Sequence, residues 1–315
     1  MAYKKAAKKF SGQFKKVTIG TEDNTMTVGG RNVLPFYKFD GETGETPKVG
    51  MEITDEGPAS LSEEFAELYK ETGDDIGAWA KYVEDTYSPD FICLRFSGAD
   101  PNGADKDVSA CVEAAKKAAD AITLPLVVAG CNNDQKDSEV FQAVAEALQG
   151  KNILLLSAKE ENYKQVGAAG ALAYNQKIGA ESSVDINLAK QLNILMTQLG
   201  VKEEDIVMDV GCAAVGYGFE YVTSTMDRIL LAALGQNDKT LQMPIITPVA
   251  FDAWGVKEAV ATEKDEPQWG DRMERGIHME ISTATSCLTG GSDAVVVRHP
   301  KTLETLKTFI DKMMV

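Results

Sequence analysis

The chain has 315 residues, of which 44% are hydrophobic, and this is enough apolar material for one large core. Its formal net charge of −16 argues against nucleic acid as a partner, because phosphate binding needs a basic face. No stretch approaches the roughly 20 apolar residues of a membrane helix, so we expect a cytoplasmic protein that contacts no membrane.

The N-terminal region, residues 1–46, is predicted to form a basic arm and a β-hairpin. Residues 1–16 carry six lysines and no acid, a pattern typical both of an arm that docks on an acidic partner and of a solvated terminus. Two β-prone runs, Lys16–Ile19 and Thr25–Val28, follow with a turn-forming stretch between them. We expect this hairpin to close the bottom of the domain that follows.

From Lys48 onward, short apolar runs alternate with helical stretches. Each parallel crossover needs a helix-length return, so the alternation predicts a parallel sheet. Eight such units in about 250 residues are typical of a closed (β/α)8 barrel. We therefore predict an α/β fold, a TIM barrel over residues 47–315 with an N-terminal β-hairpin extension. The expected strands are Lys48–Ile53, Phe91–Phe96, Leu126–Gly130, Ile153–Leu156, Lys177–Ala180, Ile206–Val210, Ile245–Val249 and Ala294–Arg298.

A long insertion, Phe251–Asp271, interrupts the pattern after the seventh strand. Its aromatic residues Phe251, Trp254 and Trp269 are candidates for an exposed apolar rim that a permanent partner would cover. A local mini-core under the insertion explains them equally well. The helices expected from periodicity and helix-ending glycines are Leu61–Tyr69, Ile76–Thr86, Val108–Ala121, Glu139–Gln149, Tyr163–Tyr174, Asp185–Leu199, Phe219–Leu234, Arg272–Leu288 and Lys301–Met313.

Familiar catalytic and metal-binding motifs are missing from the sequence. The five cysteines form no C-x-x-C pair, so neither a zinc site nor an iron–sulfur cluster has its usual spacing. There is no G-x-S-x-G elbow and no Walker P-loop. We therefore expect reduced, mostly buried thiols and no nucleophile of a known class.

The residues that follow the strands are small, acidic or amide-bearing, and barrel chemistry occurs at these strand ends. Glu52, Glu181 and Asp209 are acids that could hold a divalent metal or exchange protons, or simply hydrogen-bond their neighbours. His278 falls inside a helix and is expected to be structural. His299, before Pro300, is expected either to contact a ligand or to cap a helix.

Two glycine-containing loops, Gly130–Asn133 and Asp209–Gly218, permit close backbone approach by a broad, flat ligand. Three segments here are familiar: Ala129–Asn133, Asp209–Ile229 and Val297–Pro300. They resemble the small (delta) subunits of the corrinoid iron–sulfur proteins of the acetyl-CoA pathway. The resemblance covers essentially the whole chain.

This resemblance implies a barrel subunit in a heterodimer with a large subunit. In that family the large subunit carries a [4Fe–4S] cluster and a corrinoid (cobalamin) domain, and the corrinoid lies between that domain and the barrel mouth. Its cobalt takes a methyl group from methyltetrahydrofolate, or a methanopterin relative, through a separate methyltransferase. The methyl group then passes to acetyl-CoA synthase.

The resemblance also implies a cap that has no catalytic residue and no metal ligand of its own. The D-x-H-x-x-G signature of cobalamin-binding chains is missing, since Gly276 lies two residues before His278. A histidine ligand to cobalt is therefore not expected from this chain. The residues expected near the corrin are Asn132, Asn133, Ser157, Gly211, Cys212, Thr247 and His299.

Two other functions compete with the corrinoid cap. A stand-alone pterin-dependent methyltransferase would hold its pterin with Asp209 and Asn132, although Thr247-Pro248 departs from the amide that such enzymes place after strand seven. A metal-dependent lyase or isomerase would use the three strand-end acids. Pterin binding by the isolated chain, or stabilisation by metal, would distinguish these functions from the cap.

Overall fold

A closed barrel of eight parallel strands forms the body of the protein, in a computed structural model that describes residues 8–315. The last strand pairs with the first, so the ring has no free edge. The predicted TIM barrel is confirmed. Part of the predicted basic arm, residues 1–7, lies outside the described residues. The barrel strands are β3 (Lys48–Thr54), β4 (Phe91–Arg95), β5 (Leu126–Ala129), β6 (Leu154–Ala158), β7 (Lys177–Glu181), β8 (Ile206–Asp209), β9 (Ile245–Thr247) and β10 (Ala294–Val297).

Helices surround this ring in the order expected for successive βα units. Short π-helical turns at Gly167–Ala173 and Leu231–Gly235 continue two of them, which shortens the expected α-helices there. The α-helices are α1 (Glu63–Leu68), α2 (Ile76–Tyr87), α3 (Val108–Ala121), α4 (Asp134–Ala147), α5 (Tyr163–Val166), α6 (Ile186–Leu199), α7 (Glu220–Leu230), α8 (Val249–Ala253), α9 (Lys257–Val260), α10 (Arg272–Gly290) and α11 (Pro300–Met314).

Side chains alternate between the barrel interior and the helix layer, as the strand period of two requires. On β4, Ile92 and Leu94 join the large core between strands and helices, whereas Phe91 and Cys93 join the core inside the barrel. Arg95 continues the inward row of Phe91 and Cys93. The alternation therefore delivers a charged side chain to the top of the interior.

The N-terminal hairpin closes the other end of the barrel. Its strands are β1 (Lys16–Thr21) and β2 (Asn24–Gly29). One face of the hairpin, including Val17 and Ile19, belongs to the same buried cluster as Phe91 at the start of β4. The predicted plug at the bottom of the barrel is confirmed, and the open end is the one where the strands finish.

Several element boundaries differ from expectation near this open end. The strand β6 runs to Ala158 instead of Leu156, because the polar side chain of Ser157 finds a buried hydrogen-bond partner inside the barrel. The strand β9 ends at Thr247, since Pro248 has no N–H for the ladder. Helix α4 begins at Asp134, five residues earlier than expected.

Candidate functional site

A cavity of about 420 Å³ opens at the carboxyl ends of the strands. Its volume lies within the range of roughly 300–1,000 Å³ that is usual for small-molecule sites. The ends of β5 to β8 and the helix α8 supply its walls. Both polar and apolar side chains line it, so it is suited to a ligand with hydrogen-bonding groups.

Two carboxyl groups occupy adjacent strand ends in this cavity. Glu181 on β7 pairs in register with Asp209 on β8, and both side chains line the cavity. Asp209 accepts hydrogen bonds from the Oγ of Ser157 at 2.7 Å and from the backbone N–H of Gly211 at 2.9 Å. Burial raises the pKa of both carboxyl groups, and the charge of Asp209 raises the pKa of Glu181 further. The pair therefore holds a proton more readily than exposed acids do.

A third carboxyl group, that of Asp252 on α8, lines the same cavity. Burial raises its pKa to about 6, with a smaller contribution from Glu181 and opposition from the charge of Arg95. Lys159 is a cation that also lines the cavity, and its Nζ lies 3.8 Å from Oε1 of Glu181. The cavity lining is thus richer in acceptors than in free donors.

Behind the cavity, Glu52 joins two arginines in a buried ion-pair network. Its carboxylate accepts from Arg95 Nε at 2.8 Å and from Arg298 Nη2 at 2.6 Å. Burial alone would raise the pKa of Glu52, but the two guanidinium groups hold that pKa below its usual value. Glu52 is therefore committed to structure and does not line the cavity with Glu181 and Asp209.

The loop after β5 is built around Asp137 of α4. Its carboxylate accepts from the backbone N–H groups of Cys131 at 2.7 Å and Asn132 at 3.1 Å. A Cβ at Gly130 would lie 2.4 Å from this carboxylate, so glycine is required there. Asn132 has a φ of 68°, a left-handed conformation that asparagine tolerates better than most residues. This loop holds the Asn132 side chain at the cavity wall.

Four of the seven residues expected near a ligand line the cavity: Asn132, Ser157, Gly211 and Cys212. The other three lie outside its lining, and each has a structural partner. Their side chains are engaged as follows: Asn133 caps α4 through Lys136 N, Thr247 bonds Ser292 Oγ at 2.7 Å, and His299 caps α11 through Lys301 N.

His299 is the position at which the sequence left helix capping and ligand contact as alternatives. Its ring packs against Phe65 and Trp254 as well as capping α11. Burial lowers the pKa of His299 to about 4, so the imidazole is neutral near pH 7. The other histidine, His278, is 70% exposed on α10 and faces away from the cavity walls.

Sequence reasoning missed several residues of the cavity, chiefly Asp137 and Asp252. From the sequence, this helix was expected to begin at Glu139, which left Asp137 in the preceding loop. Asn133 followed by acidic residues is a helix-start signal, and it places Asp137 in the first turn of α4. Asp252 lies on α8, a short helix where a strand and a loop were expected.

Three exposed aromatic side chains lie at the cavity, after the neighbouring strands β8 and β9. Tyr217 is 81% exposed, Tyr221 64% and Phe251 43%, and all three also line the cavity. Large apolar surface left at a pocket rim is typical of a binding face. Phe251 belongs to this group and was also one of the three aromatic residues of the insertion considered for a partner-covered rim; its burial by a partner stays a prediction.

The two tryptophans of the insertion belong instead to local packing. Trp254 meets Phe65 edge-to-face at a centroid distance of 5.2 Å and covers Gly276, where a Cβ would lie 2.3 Å from its ring. Trp269 lies beneath the cations of Lys257 and Arg275. Both tryptophans thus make the local packing contacts of the mini-core interpretation, and Trp254 also lines a second cavity.

Two structural features are missing from residues 8–315. Within residues 8–315, no group of three or more histidine, cysteine or acidic side chains is arranged to hold a metal ion. Over the same range, no helix is both long and apolar enough to cross a membrane.

The closed barrel with a cavity at the carboxyl ends of its strands defines a TIM-barrel protein whose fold is like that of dihydropteroate synthase. It superposes on dihydropteroate synthase of Xanthomonas albilineans with a TM-score of 0.61 at 12% identity, covering 96% of this chain and 100% of that one. The Yersinia pestis enzyme gives a TM-score of 0.52 at 11% identity, covering 85% and 93%. At such identities the likeness describes the fold alone.

Residues 16–304 match the family described as CO dehydrogenase/acetyl-CoA synthase delta subunit, and the chain belongs to that family. It is 32% identical to the acetyl-CoA decarbonylase/synthase complex subunit delta 2 of Methanosarcina acetivorans, over 91% of this chain and 66% of that protein. The delta subunit of Methanothermobacter thermautotrophicus is 30% identical over 95% and 75%. The chain spans about two thirds of the length of the first of these relatives. The resemblance drawn from the sequence is confirmed.

Proposed function

We propose that this chain is the barrel subunit of a corrinoid-dependent methyl-transfer system, where it covers a corrinoid presented by a larger partner subunit. One observation carries the proposal: exposed Tyr217, Tyr221 and Phe251 line a ligand-sized cavity at the carboxyl ends of the barrel strands. A surface of this kind suits a broad, flat group that is held from both sides. Membership of the delta-subunit family supports the same role.

The residues at the mouth fit a corrin. The loop after β8 combines small side chains with Gly211 and Gly216, both at positive φ, so its backbone can lie close to a planar surface. The acceptors in the cavity complement the N–H groups of the corrin's amide arms. When bound, the corrinoid supplies a cobalt centre that accepts and donates methyl groups.

The chain's own contribution is to bind, orient and exclude water. Neither histidine lines the cavity, since His278 is on the outer face of α10 and His299 caps α11. Cobalt ligation and redox chemistry would then be left to the corrinoid and the partner. We assign no catalytic residue to this chain.

The finer assignments follow from the family resemblance. The partner would be a large corrinoid iron–sulfur subunit that carries the corrinoid domain and the [4Fe–4S] cluster. A methyltetrahydrofolate methyltransferase would supply the methyl group and acetyl-CoA synthase would receive it.

The test is an absorbance spectrum of the chain purified alone and with its large partner under anaerobic conditions with corrinoid present. We expect corrinoid to remain with the pair and not with the isolated chain. A Tyr217→Ala/Tyr221→Ala variant should lose corrinoid from the pair, whereas Leu231→Ala, an exposed apolar residue of the π-helical turn after α7, serves as the control. The proposal would be contradicted if the pairs formed with the unmodified chain, the double variant and the control variant all retained the same amount of corrinoid.

A second function, binding of a pterin by the isolated barrel, is favoured by one feature. The carboxylate of Asp209 is fixed by Ser157 and Gly211 within a cavity of pterin size, and a carboxylate pairs well with the adjacent N–H groups of a 2-amino-4-oxo ring. Calorimetric titration of the isolated chain with methyltetrahydrofolate tests it. Tight binding that Asp209→Asn abolishes would make the barrel a pterin site in its own right.

A further inference from the structure

We infer that the mouth is a divided site in which the inner cavity takes one planar carboxamide arm of the corrinoid while the outer cavity takes the edge of the ring. This inference rests on the proposed function and names the part of the ligand that each compartment recognises. Its basis is the relation between two cavities, the position of Phe251 between them and the difference in their linings.

The second cavity, of about 760 Å³, lies directly beside the first. Four residues line both cavities: Ala213, Tyr217, Phe251 and Asp252. The other walls of the outer cavity combine apolar Leu61, Val215, Trp254 and Val256 with the charged side chains of Lys257, Glu258 and Arg298. The two spaces thus meet at the mouth and differ in charge balance: carboxyl groups outnumber cations in the inner lining, whereas Asp252 and Glu258 are matched by Lys257 and Arg298 in the outer one.

Phe251 forms the wall between the cavities, and its position is fixed from below. The guanidinium of Arg95 lies 4.7 Å from the centre of its ring. Arg95 is itself held by Glu52 at 2.8 Å and by the carbonyl oxygen of Gly130 at 3.1 Å. A stacked, hydrogen-bonded arginine loses little further freedom on binding. The wall is therefore preorganised, although 43% of Phe251 remains exposed to the mouth.

The size of the inner cavity limits what can enter. At about 420 Å³ and with a rigid wall, it admits a side arm and not a macrocycle with its substituents. The flat ring would remain outside, against Phe251, Tyr217 and the outer cavity. Contact with an aromatic face in this arrangement resembles the stacking that holds other planar ligands.

The charged residues that line the inner cavity determine which chemical type of corrinoid side arm it accepts. Its carboxyl groups are Asp137, Glu181, Asp209 and Asp252, against the two cations Arg95 and Lys159. Arg95 is already committed to Glu52, so acceptors outnumber free donors. A primary carboxamide offers two N–H groups to such acceptors, whereas a carboxylate arm would be repelled.

The experiment compares an intact corrinoid with its monocarboxylic acid derivatives, in which one peripheral amide is hydrolysed. Each is titrated into the reconstituted pair, and the dissociation constant is measured from absorbance. For at least one monoacid isomer we expect binding to be weaker by about tenfold or more, since one buried like-charge contact costs more than about 1.4 kcal/mol. Glu181→Gln should reduce this discrimination, and Glu304→Gln on the outer helix α11 should not.

The Phe251→Ala variant provides an independent second experiment. Removal of the wall should weaken binding of the intact corrinoid and also reduce the discrimination between amide and acid. Near-ultraviolet circular dichroism of each variant checks that the fold is retained. Equal affinity of all monoacids and the amide for the unmodified pair would overturn the inference while leaving the corrinoid cap intact. Failure of the pair to retain any corrinoid would instead overturn the proposed function, and this inference with it.

Discussion

The Nε of Arg95 donates to the Oε2 of Glu52 at 2.8 Å inside the top of the barrel, with 7% and 0% of the two side chains exposed. Neither residue is near the other in sequence, and Arg298 completes the network from the last strand. The network closes the interior below the cavity. It also supports Phe251 from beneath through the Arg95 guanidinium.

We expect Glu52→Gln to lower the free energy of unfolding by about 3–5 kcal/mol, because it leaves two largely buried guanidinium groups without their counter-ion. Urea denaturation at neutral pH measures the effect. The matched control is Glu67→Gln, whose ion pair with Lys70 is exposed and should contribute less than about 1 kcal/mol. Similar losses in the two variants would contradict the role assigned to Glu52.

The raised pKa of Asp252 predicts a pH-dependent stability. Because its pKa of about 6 in the folded chain exceeds the usual value near 3.9, the folded state binds more protons than the unfolded state over this interval. The contribution of Asp252 to the free energy of unfolding therefore falls as the pH rises from about 4 to about 6, and is constant above that.

Asp252→Asn should accordingly stabilise the chain at pH 7.5, by on the order of 2 kcal/mol, and should make little difference near pH 4. Denaturation curves at the two pH values measure this. Asp227→Asn, an exposed substitution on α7 with the same change of charge, is the control. A gain that is equal at both pH values would show that the carboxyl group is not the cause.

Substitutions at Trp254 and Tyr217 should affect two different properties, the stability of the fold and association with the large subunit. Trp254→Ala is expected to cost about 2–4 kcal/mol of stability, since it removes the partner of Phe65 and the cover of Gly276. Tyr217→Ala, at a site that is 81% exposed, should change stability by less than about 0.5 kcal/mol but weaken binding of the large subunit. Thermal unfolding and co-purification measure the two effects; the opposite pattern would place Trp254 at the interface.

The hairpin plug makes a prediction about the bottom of the barrel. Ile19→Ala should destabilise the chain by about 2–4 kcal/mol, because Ile19 is fully buried against the barrel interior. The neighbouring Thr18 faces solvent, and Thr18→Ala should cost less than about 1 kcal/mol. Equal effects would mean that the hairpin is not packed as a plug.

Divalent metals should not stabilise the isolated chain. Glu52 is bound to two arginines, so it is not free to join Glu181 and Asp209 around an ion. Thermal unfolding with and without magnesium, manganese or zinc chloride tests this expectation. A rise of several degrees that Asp209→Asn removes would revive the metal-dependent enzyme considered from the sequence.

The architecture could be predicted from sequence because its signals are local and repeated. Apolar runs, such as Phe91–Phe96, alternate with helical periods, and each unit independently indicates a strand followed by a crossover. The hairpin formed by the runs Lys16–Ile19 and Thr25–Val28 could be predicted in the same way. The family could also be predicted, since segments such as Asp209–Tyr221 carry their pattern in consecutive residues.

The sequence by itself thus determined the barrel, its plug, the end at which the cavity lies and the family. Only the tertiary structure decided which strand-end acids act together: Glu52 lies 246 positions from Arg298 and is neutralised by it, whereas Glu181 and Asp209 meet through strand register. The tertiary structure also shows that His299 caps α11, where the sequence had left ligand contact and helix capping as alternatives. Ion pairing, burial and cavity walls arise from contacts between distant segments, and no local pattern encodes them.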